Sequence, residues 1–262
     1  MHALTLLVLV AAAPAEIRDL LSAADLDRQL ATLAPGSIRA VDEHPNYAIF
    51  IAAAGAAVAA PETHDAADEV LWIKRGAGGV VLDRARHSIA AGDLVHVPRR
   101  TPHRLFADSG RLEYVAVRIF PTGEHLPART GLLAQRRMPD VVKKADIDAV
   151  FARFDTNQPL HSAPGFTMNY VIYRSRSGPW EAHRGCVDIY FLQTGAAEAE
   201  LGGEIANPKE ESPGEIRGTG VSGARRYRIT PGDLVVIPRS TSHHVTPEGA
   251  MVGYLLLKVW AE

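Results

Sequence analysis

The sequence predicts an all-β chain built as two copies of one sandwich-like or jelly-roll unit, and two observations carry that prediction. Short runs rich in valine, isoleucine, leucine and aromatic residues recur through the 262 residues, punctuated by 22 dispersed glycines and 17 dispersed prolines. Landmarks of the first half also return in the same order in the second. Glu62, His64 and Glu69 map onto Glu181, His183 and Asp188 at an offset of 119, and Gly76 maps onto Gly195 likewise. Gly92-Asp93-Leu94-Val95 then maps onto Gly232-Asp233-Leu234-Val235 at 140, so the second copy carries a 21-residue insertion between these landmarks. Drifting offsets in matching order are the trace of a duplicated domain.

Taken in order, the apolar run before Ala13-Pro14-Ala15 is too short to span a bilayer and ends in an A-x-A pattern. It is read as a signal peptide over residues 1–15, which makes the mature chain secreted or periplasmic with no membrane partner after cleavage. One cysteine, Cys186, fits an exported protein without internal disulfides and is read as a buried strand-end residue. Ala23–Leu30 is a helix candidate capped by Ser22 and stopped by Pro35-Gly36. Lys144–Phe151 is its counterpart, offset by 121, and Asn46-Tyr47 maps onto Asn169-Tyr170 at 123. The N-terminal domain is placed at 16–135 and the C-terminal domain at 140–262, joined through the turn-rich and charged 121–139. Strands are expected at 47–53, 70–74, 79–82, 94–97 and 112–120, and again at 168–174, 189–192, 198–201, 234–237 and 251–259. The insertion, about 203–223, is polar and turn-rich and reads as a surface loop. A net charge of −2 from 28 basic and 30 acidic residues offers no basic stripe for nucleic acid.

The chemistry concentrates in Trp180-Glu181-Ala182-His183-Arg184-Gly185-Cys186-Val187-Asp188 and in Pro238-Arg239-Ser240-Thr241-Ser242-His243. His183 and Asp188 stand at the start of one strand, and His243 follows another. If those strands are neighbours, two imidazoles and a carboxylate converge with Glu181 beside them. That nitrogen and oxygen mixture suits a divalent transition metal such as Zn, Mn, Fe or Ni, whereas calcium and magnesium want more oxygen. The alternative is a set of core histidines hydrogen-bonded to carboxylates. His244 is read as an outward neighbour of His243 rather than a fifth ligand, since adjacent strand positions face opposite ways, and His96, near a strand end, is read as packing.

These motifs resemble those of the cupin superfamily, and the duplication resembles a bicupin. The family's first motif places two histidines, an acidic residue and a glycine in order. Glu62 and Glu181 stand at the first histidine, His64 and His183 at the second, Glu69 and Asp188 at the acid, and Gly76 and Gly195 at the glycine. The second motif, glycine, proline and histidine, matches Gly92, Pro98 and His103, and again Gly232, Pro238 and His243, with Arg100 and Ser240 where the family has glycine. The resemblance implies two tandem double-stranded β-helix barrels with short flanking helices. It also implies metal ligands Glu62, His64, Glu69 and His103 in the first domain and Glu181, His183, Asp188 and His243 in the second. Glu181 stands as ligand or as general base. Trp180, Tyr190 and Tyr170 are candidates for a pocket wall, Arg184 and Arg239 for contact with an anionic substrate, and Glu181, Tyr190 and Arg184 for catalysis. The expected function is an exported metal-dependent enzyme acting on a small polar or anionic molecule by dioxygenase or isomerase/lyase chemistry. A non-catalytic ligand-binding bicupin module is the alternative, and a homodimer is left open.

Overall fold

The computed structural model describes residues 19–57, 60–121 and 138–260. The expected signal peptide and most of the expected join lie outside the described residues. The first half runs β1 (Leu20–Leu21), α1 (Ala23–Ala31), β2 (Ser37–His44), β3 (Tyr47–Gly55), β4 (Asp68–Arg75), β5 (Ala77–Leu82), β6 (Ala85–Ala90), β7 (Leu94–Val97), β8 (His103–Ala107) and β9 (Arg111–Ile119). The second opens with β10 (Val141–Val142), α2 (Lys144–Arg153), β11 (Gln158–Ala163), β12 (Phe166–Arg174), β13 (Trp180–His183), β14 (Cys186–Thr194) and β15 (Ala197–Leu201). It continues with β16 (Glu204–Ala206), β17 (Lys209–Ser212), β18 (Glu215–Gly218), β19 (Gly220–Ser222), β20 (Arg225–Ile229), β21 (Leu234–Ile237), β22 (His243–Pro247) and β23 (Met251–Trp260).

Each half is a pair of facing antiparallel sheets. The first stacks β10-β7-β4-β9-β3-β2 on β6-β5-β8, and the second stacks β1-β21-β14-β23-β12-β11 on β17-β18-β13-β22-β15-β20. The expectation of closed barrels is corrected here. Each sheet ends in strands paired on one side only, and among the described residues no hydrogen-bonded ladder joins a sheet to the one it faces. The edges are blunted instead: β1 and β10 are two residues long, and β2 is largely exposed and polar. The fold is all-β with two cupin-like sheet clusters.

The register sharpens the duplication. β3 pairs with β9 as Tyr47↔Ile119 and β12 with β23 as Phe166↔Val259, so Tyr47 is equivalent to Phe166 at 119 rather than to Tyr170. The strand that opens each half crosses to the other: Leu21 pairs with Leu234, and Val142 pairs with Leu94. Each Gly-Asp landmark then receives the helix of the opposite half. The Asp233 carboxylate accepts from the Ala23 amide at 2.6 Å, and Asp93 accepts from the Lys144 amide at 2.8 Å. These are N-terminal caps supplied from outside the helix.

Strand alternation sorts the side chains into two environments. On β3 and β14, Tyr47, Ile49 and Ile51 meet Val187, Ile189 and Phe191 in a core shared by both halves, where Trp72 contacts Phe191 edge-on at 5.5 Å. The intervening residues face into their own half. Because both faces are covered, these strands read as continuous apolar runs, which is why the sequence revealed them. The exposed or polar strands β2, β6, β11, β13, β16 to β20 and β22 carry no such run.

Candidate metal centres

In the second half, β13 places Glu181 and His183 two residues apart on one face, and β22 sets His243 directly across from Glu181. His243 Nε2 lies 3.5 Å and His183 Nε2 3.8 Å from Glu181 Oε1, with the two rings 5.0 Å apart. The first half repeats this: His103 Nε2 is 3.5 Å from Glu62 Oε1, His64 Nε2 is 3.9 Å from Glu62 Oε2, and the rings are 5.1 Å apart. Within each triad all donor atoms lie within 4.8 Å of one another. Ligand atoms about 2.1 Å from one ion at tetrahedral to octahedral angles stand about 3.0–3.4 Å apart, so small side-chain adjustments complete a site.

The imidazoles are set up to bind. His103 Nδ1 and His243 Nδ1 each sit 3.1 Å from a backbone carbonyl, Thr101 O and Thr241 O, which orients the ring and directs Nε2 inward. The Nε2 atoms of His64, His103, His183 and His243 are buried without a hydrogen-bond partner. Buried polar atoms are rarely left so, and orphaned nitrogens beside carboxylates fit a divalent transition metal. Both clusters are therefore capable of coordinating such an ion.

The acids predicted as further ligands are close but committed elsewhere. Asp188 Oδ2 is 3.5 Å from His183 Nε2, while both Asp188 oxygens accept from Lys258 Nζ at 3.0 Å. Glu69 Oε2 is 3.3 Å from His103 Nε2, while Glu69 Oε1 accepts from Arg118 Nε at 2.8 Å. The couples are cross-strand neighbours, Asp188↔Lys258 and Glu69↔Arg118. Asp68 turns away to Arg99 at 3.0 Å.

Charge is balanced within each cluster. Burial alone would raise the Glu181 carboxyl, but contact with His243 and the positive charges of His243, His183 and Lys258 outweigh it and hold Glu181 at about 2. Burial works against charge on His103, yet Glu62 and Glu69 prevail and raise it to about 9. His243 is raised for the same reason, by Glu181 and Asp188 against burial.

The second centre opens on a cavity of about 290 Å³ that Tyr173, Tyr190, Tyr254, Glu215, Arg217 and Lys258 help to line. Tyr190 stacks on Tyr254 with ring centres 4.3 Å apart. At the positions of Tyr190 and Tyr173 the first half has Leu71 and Ala54, and its own cavity beside Glu62 and His103 measures about 230 Å³.

Of the residues proposed around the pocket, Tyr190 lines it and Arg184 does not. The exposed Arg184 guanidinium reaches Glu210 at 3.2 Å, because Arg184 follows His183 out of the strand and points to the β17–β18 hairpin. With Arg239, it borders a surface groove instead. Trp180 stacks on His244 at 3.7 Å, and Tyr170 belongs to the core between the halves. Cys186 is buried with its thiol 3.4 Å from Asp188 Oδ1. His96 packs against His161 and Phe166.

Sequence reasoning missed Lys258, Arg118, Glu215 and Arg217. The first two carried a signal, as cations inside the apolar runs Tyr254–Trp260 and Tyr114–Phe120. Glu215 and Arg217 lie on β18, inside the expected surface loop, which instead forms strands β16 to β19. Arg100 and Ser240, where the family has glycine, adopt φ of 64° and 61°, so the turn retains the left-handed backbone that favours glycine.

The family description "Cupin domain" matches residues 48–118. No curated protein sequence matches the chain. Among solved structures, the chain is similar to a cupin 2 conserved barrel domain protein from Leptotrichia buccalis, with a TM-score of 0.61 at 12% identity over 94% of this chain and 98% of that one. It is similar to a salicylate 1,2-dioxygenase from Pseudaminobacter salicylatoxidans, with a TM-score of 0.67 at 12% identity over 92% and 83% of the two chains. It also resembles the Lactobacillus farciminis oxalate decarboxylase formate complex, with a TM-score of 0.51 at 14% identity over 85% and 80%. Residues 48–118 thus match the cupin domain, the second half repeats its fold, and the chain has a bicupin-like fold with a glutamate-first triad in each half.

Proposed function

We propose that the chain is a metal-dependent enzyme whose working site lies in the second half and acts on a small anionic molecule by dioxygenase or lyase chemistry. The observation that carries this reading is the Glu181-His183-His243 triad opening on a cavity with a tyrosine wall and two cations. Two histidines and one carboxylate with room beside them form the donor set of non-haem oxygenases, and Mn or Zn can occupy similar sites in other chemistry. A divalent ion held there would bind substrate oxygens and either activate O₂ or polarise a carbonyl.

The chain's own residues divide the remaining work. Glu181 Oε1 lies 3.8 Å from His183 Nε2 and 3.5 Å from His243 Nε2, inside the triad rather than beside it, so it suits a ligand better than a base. Lys258 keeps Asp188 paired beside the triad. Arg217 and Lys258 supply positive charge to an anionic substrate, and Tyr173, Tyr190 and Tyr254 offer aromatic faces with hydroxyls. The reading is supported by the likeness to two enzymes named for small carboxylates, a salicylate dioxygenase and an oxalate decarboxylase. Export, with cleavage before Glu16, is part of the proposal and rests on the sequence alone.

The test is element-resolved metal analysis of natively produced protein, followed by O₂ uptake and CO₂ release with a panel of aromatic and aliphatic carboxylic acids. Turnover that needs the metal and is lost in His243→Ala is expected. Metal-loaded protein that neither binds nor converts any small acid would contradict the reading.

A further inference from the structure

The two centres form an internal comparison within one chain, and the largest difference between them is the inserted segment. In the first half Glu62 makes only an isolated bridge to His103, and its side chain is 51% exposed. In the second half the inserted strand β18 runs along the ligand strand β13, with Glu181 opposite Arg217 and His183 opposite Glu215, and Glu181 is 16% exposed. Glu215 Oε2 lies 2.9 Å from His183 Nδ1, and Arg217 Nε lies 3.6 Å from Glu181 Oε2. The hairpin is itself fastened: the Arg184 amide donates to Gly214 O at 2.9 Å, and the Gly214 amide donates to Glu210 Oε1 at 2.8 Å.

We propose that the insertion is a built-in positioning element for the second metal centre, in which Glu215 is a positioning residue that fixes His183 with Nε2 toward the triad. An imidazole whose Nδ1–H is held by a carboxylate has one tautomer and one ring orientation available, and its Nε2 becomes a stronger donor. His103 and His243 face backbone carbonyls at Nδ1, whereas at His183 the neighbour is the Glu215 carboxylate, an ion-pair contact at 2.9 Å that a small side-chain rotation aligns into a hydrogen bond. Among the described contacts of the first half, His64 Nδ1 has no carboxylate neighbour of this kind. The proposal rests on the triad being a metal site and adds that a segment present in one half alone sets the affinity of that half's centre.

The test is titration of the metal-free full chain with Co²⁺ alone, followed by visible absorption, in two backgrounds. His64→Ala leaves the second centre to report, and His183→Ala leaves the first. Glu215→Gln should weaken Co²⁺ binding about 10- to 100-fold in the His64→Ala background and leave the His183→Ala background unchanged. Glu215→Asp, which keeps the charge but shortens the reach, should fall between, and it carries the test if Glu215→Gln fails to fold by circular dichroism. Equal Co²⁺ affinity with and without the Glu215 substitution overturns the proposal while leaving the metal site intact. So does an equal loss in both backgrounds, which would mark a general structural effect. No Co²⁺ binding in either background, with Glu215 present, overturns both the proposal and the metal reading beneath it.

Discussion

At the scale of single residues, the site is a set of charges that hold one another in place. Asp188 is 1% exposed and is met by Lys258, so Lys258→Met should destabilise the metal-free protein by about 3–5 kcal/mol in denaturant unfolding. Asp188→Asn in the same chain should recover most of that loss, and failure to recover it would show that the lysine acts by packing. His103 adds a pH dependence. Its folded value of about 9 exceeds its ordinary 6.5, so its pairing stabilises the metal-free protein fully below pH 6.5 and loses that effect as pH rises to 9. His103→Gln should flatten the stability profile across that window. Ser240→Gly should stabilise by up to about 1 kcal/mol, read as a higher unfolding midpoint, because a left-handed backbone costs a β-carbon-bearing residue. The triads were legible in the sequence because motif spacing and strand alternation together put Glu181 and His183 on one face. Glu215 was not, because its role depends on which strand β18 pairs with, and no local pattern states that.

At the scale of elements, the Gly-Asp turns show how a sequence landmark becomes a structural device. Both were visible as markers of the duplication, but their task, capping a helix of the opposite half, depends on a strand exchange that sequence order hides. Asp93→Ala should therefore cost about 1 kcal/mol and speed amide exchange at the start of α2 rather than α1; Asp233→Ala should do the reverse. The apolar strands were legible for the reason that buries them: both faces are covered. The polar strands were not, and the inserted hairpin least of all, since Lys209-Glu210-Glu211-Ser212 has the composition of a loop and takes its order from the strands beside it.

At the scale of the whole molecule, the halves are interlocked. They exchange opening strands and bury Trp72, Ile49, Ile189 and Phe191 against each other. Expressed alone, residues 138–262 would lack β1 and expose the shared apolar face, so that fragment should aggregate or show lost near-ultraviolet dichroism, while the full chain unfolds cooperatively. A fragment that is monomeric and fully folded would refute the interlock. Duplication was readable from offsets, but closure was not, because barrel and open sandwich share the same strands and alternation and differ only in whether edge strands find partners. The measurement that bears most directly on the whole account is metal content per chain, by elemental analysis, in the intact protein and in His243→Ala. The account predicts a divalent transition metal in the intact protein and a loss of the second-half ion in His243→Ala that His103→Ala does not reproduce at that centre. Metal content that is nil after growth in supplemented medium, or unchanged by His243→Ala, would contradict it.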